Sequence, residues 1–324
     1  MKKLHFRLRA SGVIVASKSW AVLLTLSVAA LAPAENNTNA AVRFGIMSDI
    51  HQDIIPQAIR GVSNFIAAAQ QEKADFIIQL GDFVQCRPEN QPLITLWNSF
   101  PGAKYCVLGN HEMDRKSTQA QMVEFLGMPA PYYTFTAGPI RGIVLNGNDA
   151  GGSAKGYPRF IGETQLNWLK EQLAASRQPA CIFIHQPFDG VNDTLGIQNA
   201  AAVRAVLEQA QAERPGSIIA VFSGHLHEDY SFTTNGITYV EINSASYYWL
   251  DKTYLPKDAK GGPVKYDKPL WAFVTVDLAN GTVTLKGTAA EWTGKDPWKQ
   301  GADETRIPHE RVRPAISDRT FRFR

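Results

Sequence analysis

The sequence has few cysteines, and none of them are paired at a spacing that binds metal. Only three of its 324 residues are cysteine, at positions 86, 106 and 181, and the motif C-x-x-C does not occur. Cys106 and Cys181 stand inside apolar runs, where a cysteine behaves as a small buried hydrophobic residue. An odd number of cysteines leaves at least one thiol unpaired within the chain. These features argue against a zinc site with thiolate ligands.

Other patterns that would indicate a function are also missing. The glycine pair Gly151-Gly152 lacks the lysine and the hydroxyl residue of a P-loop, so we expect it to form a turn. The G-x-S-x-G motif of a serine hydrolase is absent. Beyond residue 34 no apolar stretch reaches the length of about 20 residues that a membrane helix needs, so we expect no transmembrane span in the mature protein.

The first 34 residues have no acidic side chain and differ from the rest of the chain. They carry five basic residues, and an apolar run at 20–32 follows them. Ala32-Pro33-Ala34 then offers small residues where a signal peptidase reads, so we predict a signal peptide over residues 1–34 that is cut after Ala34. The mature protein would be periplasmic or secreted. An uncleaved anchor is the alternative, which the short apolar run disfavours.

Removal of this segment changes the charge of the protein. Of the 33 basic residues, 28 remain against 30 acidic ones, which is a formal charge of −2. No dense basic stripe is left, so the mature sequence does not indicate a platform for nucleic acids.

Apolar runs and amphipathic segments alternate from residue 42 to about residue 225, and only strand patterns follow. Runs at 42–49, 74–82, 104–110, 180–185 and 217–225 are strand-like, and helical spacing of apolar residues separates several of them. Asn235-Gly236 and Asn280-Gly281 mark turns between later strands. We therefore predict an α/β fold with two packed sheets flanked by helices, over residues 35–290. The polar tail, residues 291–324, either wraps the surface or is disordered.

Each strand of the first half ends in a residue that can bind a metal. Because parallel strands in such folds present their carboxyl ends at one edge, we expect these side chains to converge there. The pairs Asp49-x-His51 and His225-x-His227 would point to the same side if the chain stays extended. The candidate residues are Asp49, His51, Asp82, Asn110, His111, His185, His225 and His227.

The distribution of histidine supports a metal site. The chain has seven histidines, of which His5 lies in the signal peptide and His309 in the tail, and the other five all stand at strand ends. Imidazole, carboxylate and amide ligands without thiolate suit Mn, Fe, Zn or Co. The ligands are too many for one tetrahedral ion and about enough for two.

In these residues the sequence resembles the calcineurin-like metallophosphoesterase superfamily. The blocks D-x-H, G-D, G-N-H-[DE], H and G-H-x-H occur in that order between Asp49 and His227. The resemblance implies a four-layer α/β/β/α sandwich of two mixed sheets and a pair of metal ions. It implies that the first ion is held by Asp49, His51, Asp82 and His227, and the second by Asp82, Asn110, His185 and His225. Asp82 would bridge the two, and His111 would face the substrate as the catalytic residue.

The chemistry that follows is hydrolysis by a hydroxide shared between two cations. His111 would donate a hydrogen bond to the phosphoryl group, either as general acid or as a clamp only. Where protein Ser/Thr phosphatases of the superfamily carry an Asp that supports this histidine, the present chain has Gln85, which favours the clamp. Where many cyclic-nucleotide phosphodiesterases read His-His-Pro, it has His185-Gln186-Pro187, so the neighbouring substrate contact differs.

We therefore expect an exported dinuclear phosphoesterase that acts on phosphate mono- or diesters of nucleotides or other small organic phosphates. Tyr247, Tyr248 and Trp249 could stack on such a substrate, and packing beneath a loop is the alternative for them. Two other functions are considered. One is a metal-binding sensor or interaction protein without turnover, and the other is a nuclease, which the acidic mature charge disfavours.

Overall fold

The computed structural model describes residues 41–191 and 194–324, so the predicted signal peptide, residues 1–34, lies outside the described residues. The helices are α1 (Ala58–Gln71), α2 (Gln91–Asn98), α3 (Gln119–Leu126), α4 (Glu163–Ala175) and α5 (Ala200–Glu213). The strands are β1 (Ala41–Met47), β2 (Phe76–Gln79), β3 (Ala103–Cys106), β4 (Tyr133–Ala137), β5 (Ile140–Val144), β6 (Ala180–Phe183), β7 (Ile218–Ser223), β8 (Tyr230–Thr234), β9 (Ile237–Glu241), β10 (Tyr247–Leu250), β11 (Gly262–Lys265), β12 (Ala272–Asp277), β13 (Thr282–Gly287) and β14 (Arg319–Arg322).

These strands form two mixed six-stranded sheets and one small hairpin sheet. The first sheet has the order β14-β13-β12-β1-β2-β3, with β1, β2 and β3 parallel and the other three antiparallel. The second has the order β4-β5-β6-β7-β9-β8, with β5, β6, β7 and β9 parallel and antiparallel strands at both edges. Together with the flanking helices, they confirm the predicted α/β fold class.

Aromatic side chains from both sheets fill the space between them. The ring of Phe44 in β1 stacks on Phe76 in β2, with centroids 4.6 Å apart. It also meets Phe183 of β6 and Phe222 of β7 edge-on, at 5.8 and 5.7 Å. All four rings are buried, and such pairs contribute about 0.5–1.5 kcal/mol each beyond the burial of their area. This contact holds the two sheets face to face.

The outer faces of the sheets are covered by helices. Residues of β6 alternate between the two sides, so that Phe183 faces the other sheet while Ile182 packs in a cluster with Val203 and Leu207 of α5. On the first sheet Phe65 of α1 lies over Gly45 of β1. A Cβ atom at position 45 would stand only 2.8 Å from that ring, so glycine allows this close approach.

Each parallel strand ends before its candidate metal ligands. β1 stops at Met47, β2 at Gln79, β3 at Cys106 and β7 at Ser223, which is two to four residues short of the predicted ends. The ligands therefore lie in the loops that follow. An extended chain was the condition for the side chains of Asp49-x-His51 and His225-x-His227 to point to the same side, and it is not met, because all four residues have positive φ, between 51° and 79°.

The later β region contains both predicted turns. Asn235 and Gly236, with φ of 50° and 74°, join β8 to β9 as a two-residue hairpin loop. Gly281, with φ of 62°, lies in the turn between β12 and β13.

The C-terminal tail packs against the domain. Its strand β14 pairs with β13 at the edge of the first sheet. Ala302, Ile307 and Val312 form a small buried cluster with Tyr248 of β10 and Val264 of β11. Of the two possibilities that the sequence left for this segment, the structure thus shows the one in which it wraps the surface. Among the described residues, no helix combines the length and the apolar character that crossing a membrane requires.

Candidate metal centre

The loops after the parallel strands of both sheets meet at one edge of the molecule. The N–H of Asp49 donates to the carbonyl of Gly81 (3.1 Å) and that of His51 to Asp82 (2.9 Å), which joins the loops after β1 and β2. The backbone N–H of His225, in the loop after β7 of the second sheet, donates to Asp49 Oδ2 at 2.9 Å, which joins the loops of the two sheets. The predicted convergence at the carboxyl ends of the strands is therefore present.

A first group of ligand atoms comprises Asp49, His51 and His227. His227 Nε2 lies 3.2 Å from Asp49 Oδ1 and 3.2 Å from His51 Nε2. His51 Nε2 is 3.7 Å from the same carboxylate oxygen. All three residues are buried.

A second group comprises Asp82, His185 and His225. His185 Nε2 lies 3.2 Å from Asp82 Oδ2 and 3.2 Å from His225 Nδ1. Asp82 Oδ2 is also 3.7 Å from His51 Nε2, a member of the first group. One carboxylate oxygen thus stands between the two groups, which is the position that a bridging ligand would need.

The hydrogen bonds of the outer ring nitrogens determine which nitrogen of each imidazole faces inward with a free lone pair. His227 Nδ1 donates to the carbonyl of Tyr247 (2.7 Å), and His185 Nδ1 donates to the carbonyl of Leu80 (2.9 Å). Because a carbonyl can only accept, both nitrogens carry the proton, and in the neutral rings both Nε2 atoms are acceptors. Each Nε2 then faces a carboxylate oxygen, an arrangement that a cation between them would stabilise.

Two buried oxygen atoms at this edge accept no hydrogen bond from the described residues. Asp49 Oδ1 and Asn110 Oδ1 are both buried, and neither has a hydrogen-bond partner in the described part of the chain. Buried polar atoms are nearly always paired, so two unpaired oxygens beside inward-facing imidazoles fit the binding of a cation. The donor set of carboxylate, imidazole and amide oxygen fits divalent transition metals.

The charges of the site act strongly on one another. Burial would raise the pKa of Asp49 and Asp82, but the neighbouring histidines, His227 and His185 respectively foremost, lower both pKa values below the ordinary range. Burial would lower the pKa of His185, yet the charge of Asp82 raises it to about 9. Burial and the adjacent His185 lower the pKa of His225 to about 3. The two ionised carboxylates give the site the negative charge that favours bound cations.

The backbone at the site is held in an uncommon conformation. Positive φ values between 50° and 79° occur at Asp49, His51, Asp82, His225 and His227. Left-handed conformations at non-glycine residues are unfavourable and persist only when the surroundings determine them. Gly224 adds a close approach, since a Cβ atom there would lie 2.6 Å from Asp49 Oδ2.

Glu112 is the main support of this backbone, and the sequence assigned it no role beyond its place in the G-N-H-[DE] block. Its Oε2 accepts the N–H groups of Gly109 (2.7 Å) and Asp82 (2.9 Å). Its Oε1 accepts those of Phe83 (2.6 Å) and Val84 (3.2 Å). Burial and the charge of Asp82 raise the pKa of Glu112 to about 7, while the four N–H donors favour its ionised form. The carboxylate joins the loop after β2 to the loop after β3.

His111 lies at the open side of the site. Its Nε2 is 3.9 Å from Asp82 Oδ2, and its side chain is 43% exposed. Its backbone N–H donates to Asp82 Oδ1 at 2.8 Å. His111 also belongs to a group with His51 and Asp82 whose ligand atoms lie within 4.8 Å of one another. The histidine therefore contacts the edge of the ligand cluster and reaches towards solvent.

Aromatic residues border the same opening. The hydroxyl of Tyr157 is 2.7 Å from His225 Nε2, a contact for which the sequence contained no signal. Tyr247 packs on the rings of His51 and His227, with centroids 5.0 and 4.8 Å away. Trp249 is half exposed, and Tyr247 to Trp249 lie within β10. Of these residues Tyr247 thus packs against the site, while Trp249 offers an open aromatic face.

The comparisons with known proteins agree with this geometry. A sequence model of the calcineurin-like phosphoesterase family matches residues 42–229, more than half of the chain. Among solved structures, the chain is similar to a dimetal phosphatase from Danio rerio, at 15% identity and a TM-score of 0.59, over 87% of this chain and 99% of that one. It is also similar to GAP50, the anchor in the inner membrane complex of Plasmodium, at 15% identity and a TM-score of 0.54, over 88% and 89%.

At these identities the structural matches establish the fold alone, and no curated protein matches the sequence. The family model, the two mixed sheets and the cluster of aspartate and histidine at their edge lead to the same assignment. This chain belongs to the calcineurin-like phosphoesterase family.

Proposed function

We propose that this protein hydrolyses phosphate mono- or diesters with the help of two bound divalent cations, Mn, Fe, Zn or Co. The observation that carries the proposal is the position of Asp82 Oδ2, which is 3.2 Å from His185 Nε2 and 3.7 Å from His51 Nε2. One oxygen shared by two groups of ligands fits a pair of ions better than a single ion. Family membership supports the phosphoesterase activity.

The ligand sets follow from the two groups of side chains. Asp49, His51, Asp82 and His227 would hold the first cation, and Asp82, Asn110, His185 and His225 the second. The cations would supply Lewis acidity and lower the pKa of water, which no side chain of this site does alone.

The remaining residues act on the position of these ligands and of the substrate. Glu112 holds the backbone of Asp82 and Gly109, so that the shared carboxylate stays between the two groups. Leu80 and Tyr247 accept hydrogen bonds from His185 and His227 and keep their Nε2 atoms turned inward. His111 Nε2 would donate a hydrogen bond to a phosphoryl oxygen, and as a general acid it would pass its proton to the leaving oxygen.

The surroundings of the site favour a small substrate that enters from solvent. The connection between Gln85 and Lys104 contains a short 3₁₀ helix (Pro88–Asn90) and α2, whose Trp97 packs on Phe65 of α1 at 6.2 Å. It therefore covers the first sheet rather than the ligands. The half-exposed side chains of His111 and Trp249 are open to contact from solvent with a nucleotide or another small organic phosphate.

Hydrolysis of a panel of substrates tests the proposal against its rivals. The metal-loaded protein is assayed with p-nitrophenyl phosphate, bis-p-nitrophenyl phosphate, cyclic nucleotides, nucleoside diphosphate esters and single-stranded DNA. We expect turnover of one or more of the small esters, and their ranking separates monoesterase from diesterase activity. Cleavage of DNA alone would establish the nuclease, and binding of metal without hydrolysis of any substrate would favour the sensor or interaction protein.

We also propose that the protein is exported to the periplasm or secreted. The support is the sequence of residues 1–34, with its basic front, its apolar run and its small residues at the cleavage position.

A further inference from the structure

His111 has a carboxylate partner that lies on the side of the ring away from the ligands. Asp114 Oδ2 is 2.7 Å from His111 Nδ1, and the side chains of both residues are 43% exposed. The opposite nitrogen, Nε2, is the one that faces Asp82 Oδ2 at 3.9 Å. The ring of His111 thus spans the distance between Asp114 and the ligand cluster.

The local backbone explains this pairing. From His111 the chain makes a short 3₁₀ turn, in which side chains three residues apart eclipse one another. The chain then leaves helical geometry at Asp114, with ψ of 157°, and Arg115 and Lys116 have φ of 56° and 67°. The kink ends the turn at Asp114, whose carboxylate contacts the ring of His111.

One neighbour, Gln85, holds Asp114 in place and is itself held by two other residues. Gln85 Nε2 donates to Asp114 Oδ2 at 3.3 Å, and Gln85 Oε1 accepts from Arg115 Nε at 3.1 Å. The backbone N–H of Gln85 donates to Asp53 Oδ2 at 2.7 Å, which fixes the residue at its own end. Gln85 therefore supports the Asp114 carboxylate by a hydrogen bond.

We infer that Asp114 is the positioning residue of His111, in place of the acidic side chain that protein Ser/Thr phosphatases of the superfamily carry at the position of Gln85. The carboxylate accepts the Nδ1 hydrogen and orients the ring, so that Nε2 is the nitrogen presented to the phosphoryl group. The carboxylate that those phosphatases have at the position of Gln85 is, in this chain, provided by a residue 29 positions later. The inference rests on the proposed function, because the oriented Nε2 of His111 has a role only if a phosphate ester binds at the site.

Kinetics of four variants test it: Asp114→Ala, Asp114→Glu, His111→Ala and the double variant. Asp114→Ala should lower kcat by about 10- to 100-fold, less than His111→Ala, with KM within about 2-fold and both metals retained. The double variant should be no slower than His111→Ala, because Asp114 acts only through that ring. Asp114→Glu should recover part of the loss. The control is Glu72→Gln, which removes a carboxylate of similar exposure from an ion pair with Arg43 on the surface.

A second readout does not depend on turnover. The ¹⁵N chemical shifts of the His111 ring in zinc-loaded protein report which nitrogen carries the hydrogen, with His111→Ala providing the assignment. In the natural protein we expect hydrogen at Nδ1, where Asp114 accepts it, and also at Nε2, because that nitrogen donates to the phosphoryl group, and we expect a changed distribution in Asp114→Ala. Unchanged shifts in that variant, or losses of kcat that multiply in the double variant, would overturn the inference. If no ester in the panel is hydrolysed, the proposed function fails, and the shifts alone still decide whether Asp114 orients the ring.

Discussion

Arg319, five residues before the C-terminal Arg324, donates a hydrogen bond to Asp229, the second residue after the candidate ligand His227. The distance from Arg319 Nη2 to Asp229 Oδ1 is 2.5 Å, and the aspartate side chain is fully buried. Arg313 donates to the other oxygen from Nε (2.9 Å) and Nη2 (2.6 Å), and the hydroxyl of Ser317 donates to it at 2.6 Å. The tail thereby binds the loop that carries His225 and His227.

The first prediction concerns this buried cluster. Asp229→Asn removes a charge that two arginines share, and breaking a buried ion pair from one side costs about 3–5 kcal/mol. Because the side chain of Arg313 is 43% exposed and water can screen it, we expect the lower end, about 3 kcal/mol of unfolding free energy. Chemical denaturation of the two proteins measures the difference.

Lys286→Ala is the matched control, since it breaks another ion pair of the tail. The pair with Asp318 has side chains that are 66% and 58% exposed, so its loss should change the unfolding free energy by no more than about 1 kcal/mol. Equal effects of the two substitutions would show that the buried cluster does not stabilise the tail.

The second prediction concerns the shared carboxylate. Metal analysis of the loaded natural protein should find close to two transition-metal ions per chain. Asp82→Asn should lower the content to one or less, because Asp82 Oδ2 lies near ligands of both groups. Asp303→Asn, in an exposed turn of the tail, should leave it unchanged. A natural protein that never exceeds one ion, or an Asp82→Asn variant that keeps two, would contradict the two-metal site.

The third prediction separates His111 from the other site histidines. His111→Ala should retain both metals and lose about 10²–10⁴-fold in rate, the usual contribution of general acid catalysis. If the residue donates a proton, the loss should be smaller for esters with good leaving groups such as p-nitrophenolate. A clamp would give the same loss for all leaving groups. The pairing with Asp114 suits both roles, because each needs Nε2 towards the phosphate.

His309→Ala provides the comparison for that experiment. His309 stacks on Trp298 in the tail, with ring centroids 3.5 Å apart, and its side chain is 56% exposed. This variant should keep the natural rate and both metals. Emptying of a metal site by His111→Ala, or an unchanged kcat/KM on every active substrate, would show that the role given to His111 is wrong.

The fourth prediction concerns export. Cleavage after Ala34 gives a mature protein that begins at Glu35, which N-terminal sequencing of periplasmic or secreted material would show. A variant that starts at residue 35 should remain in the cytoplasm, because it lacks the signal. Protein that begins at Met1 and sediments with the membranes would instead establish the uncleaved anchor.

Much of the fold and the candidate ligands could be predicted because they depend on local patterns. Continuous apolar runs, as in the first three residues of Phe76–Gln79, are typical of parallel sheets covered on both faces, and Asn235-Gly236 has the residue types of a two-residue hairpin turn. Parallel strands place their carboxyl ends together, so residues such as Asp49 and Asp82 could be assigned to one edge from their position alone. The predicted strands extend too far along the chain, because apolar residues continue into the loops that follow them.

Other features depend on contacts between residues far apart in the chain, and only the tertiary structure revealed them. Tyr157 meets His225 across 68 positions, and Arg319 meets Asp229 across 90. The left-handed conformation of His51 and His227 is likewise imposed from outside, because neither residue favours it. The period of apolar residues and the types of turn residue are local properties, so the sequence alone determined the sheets and the residues at their edge. Packing of the two sheets and of the tail sets the distances between the loops. Those distances decided which of the edge residues are in contact, and no local sequence pattern encodes them.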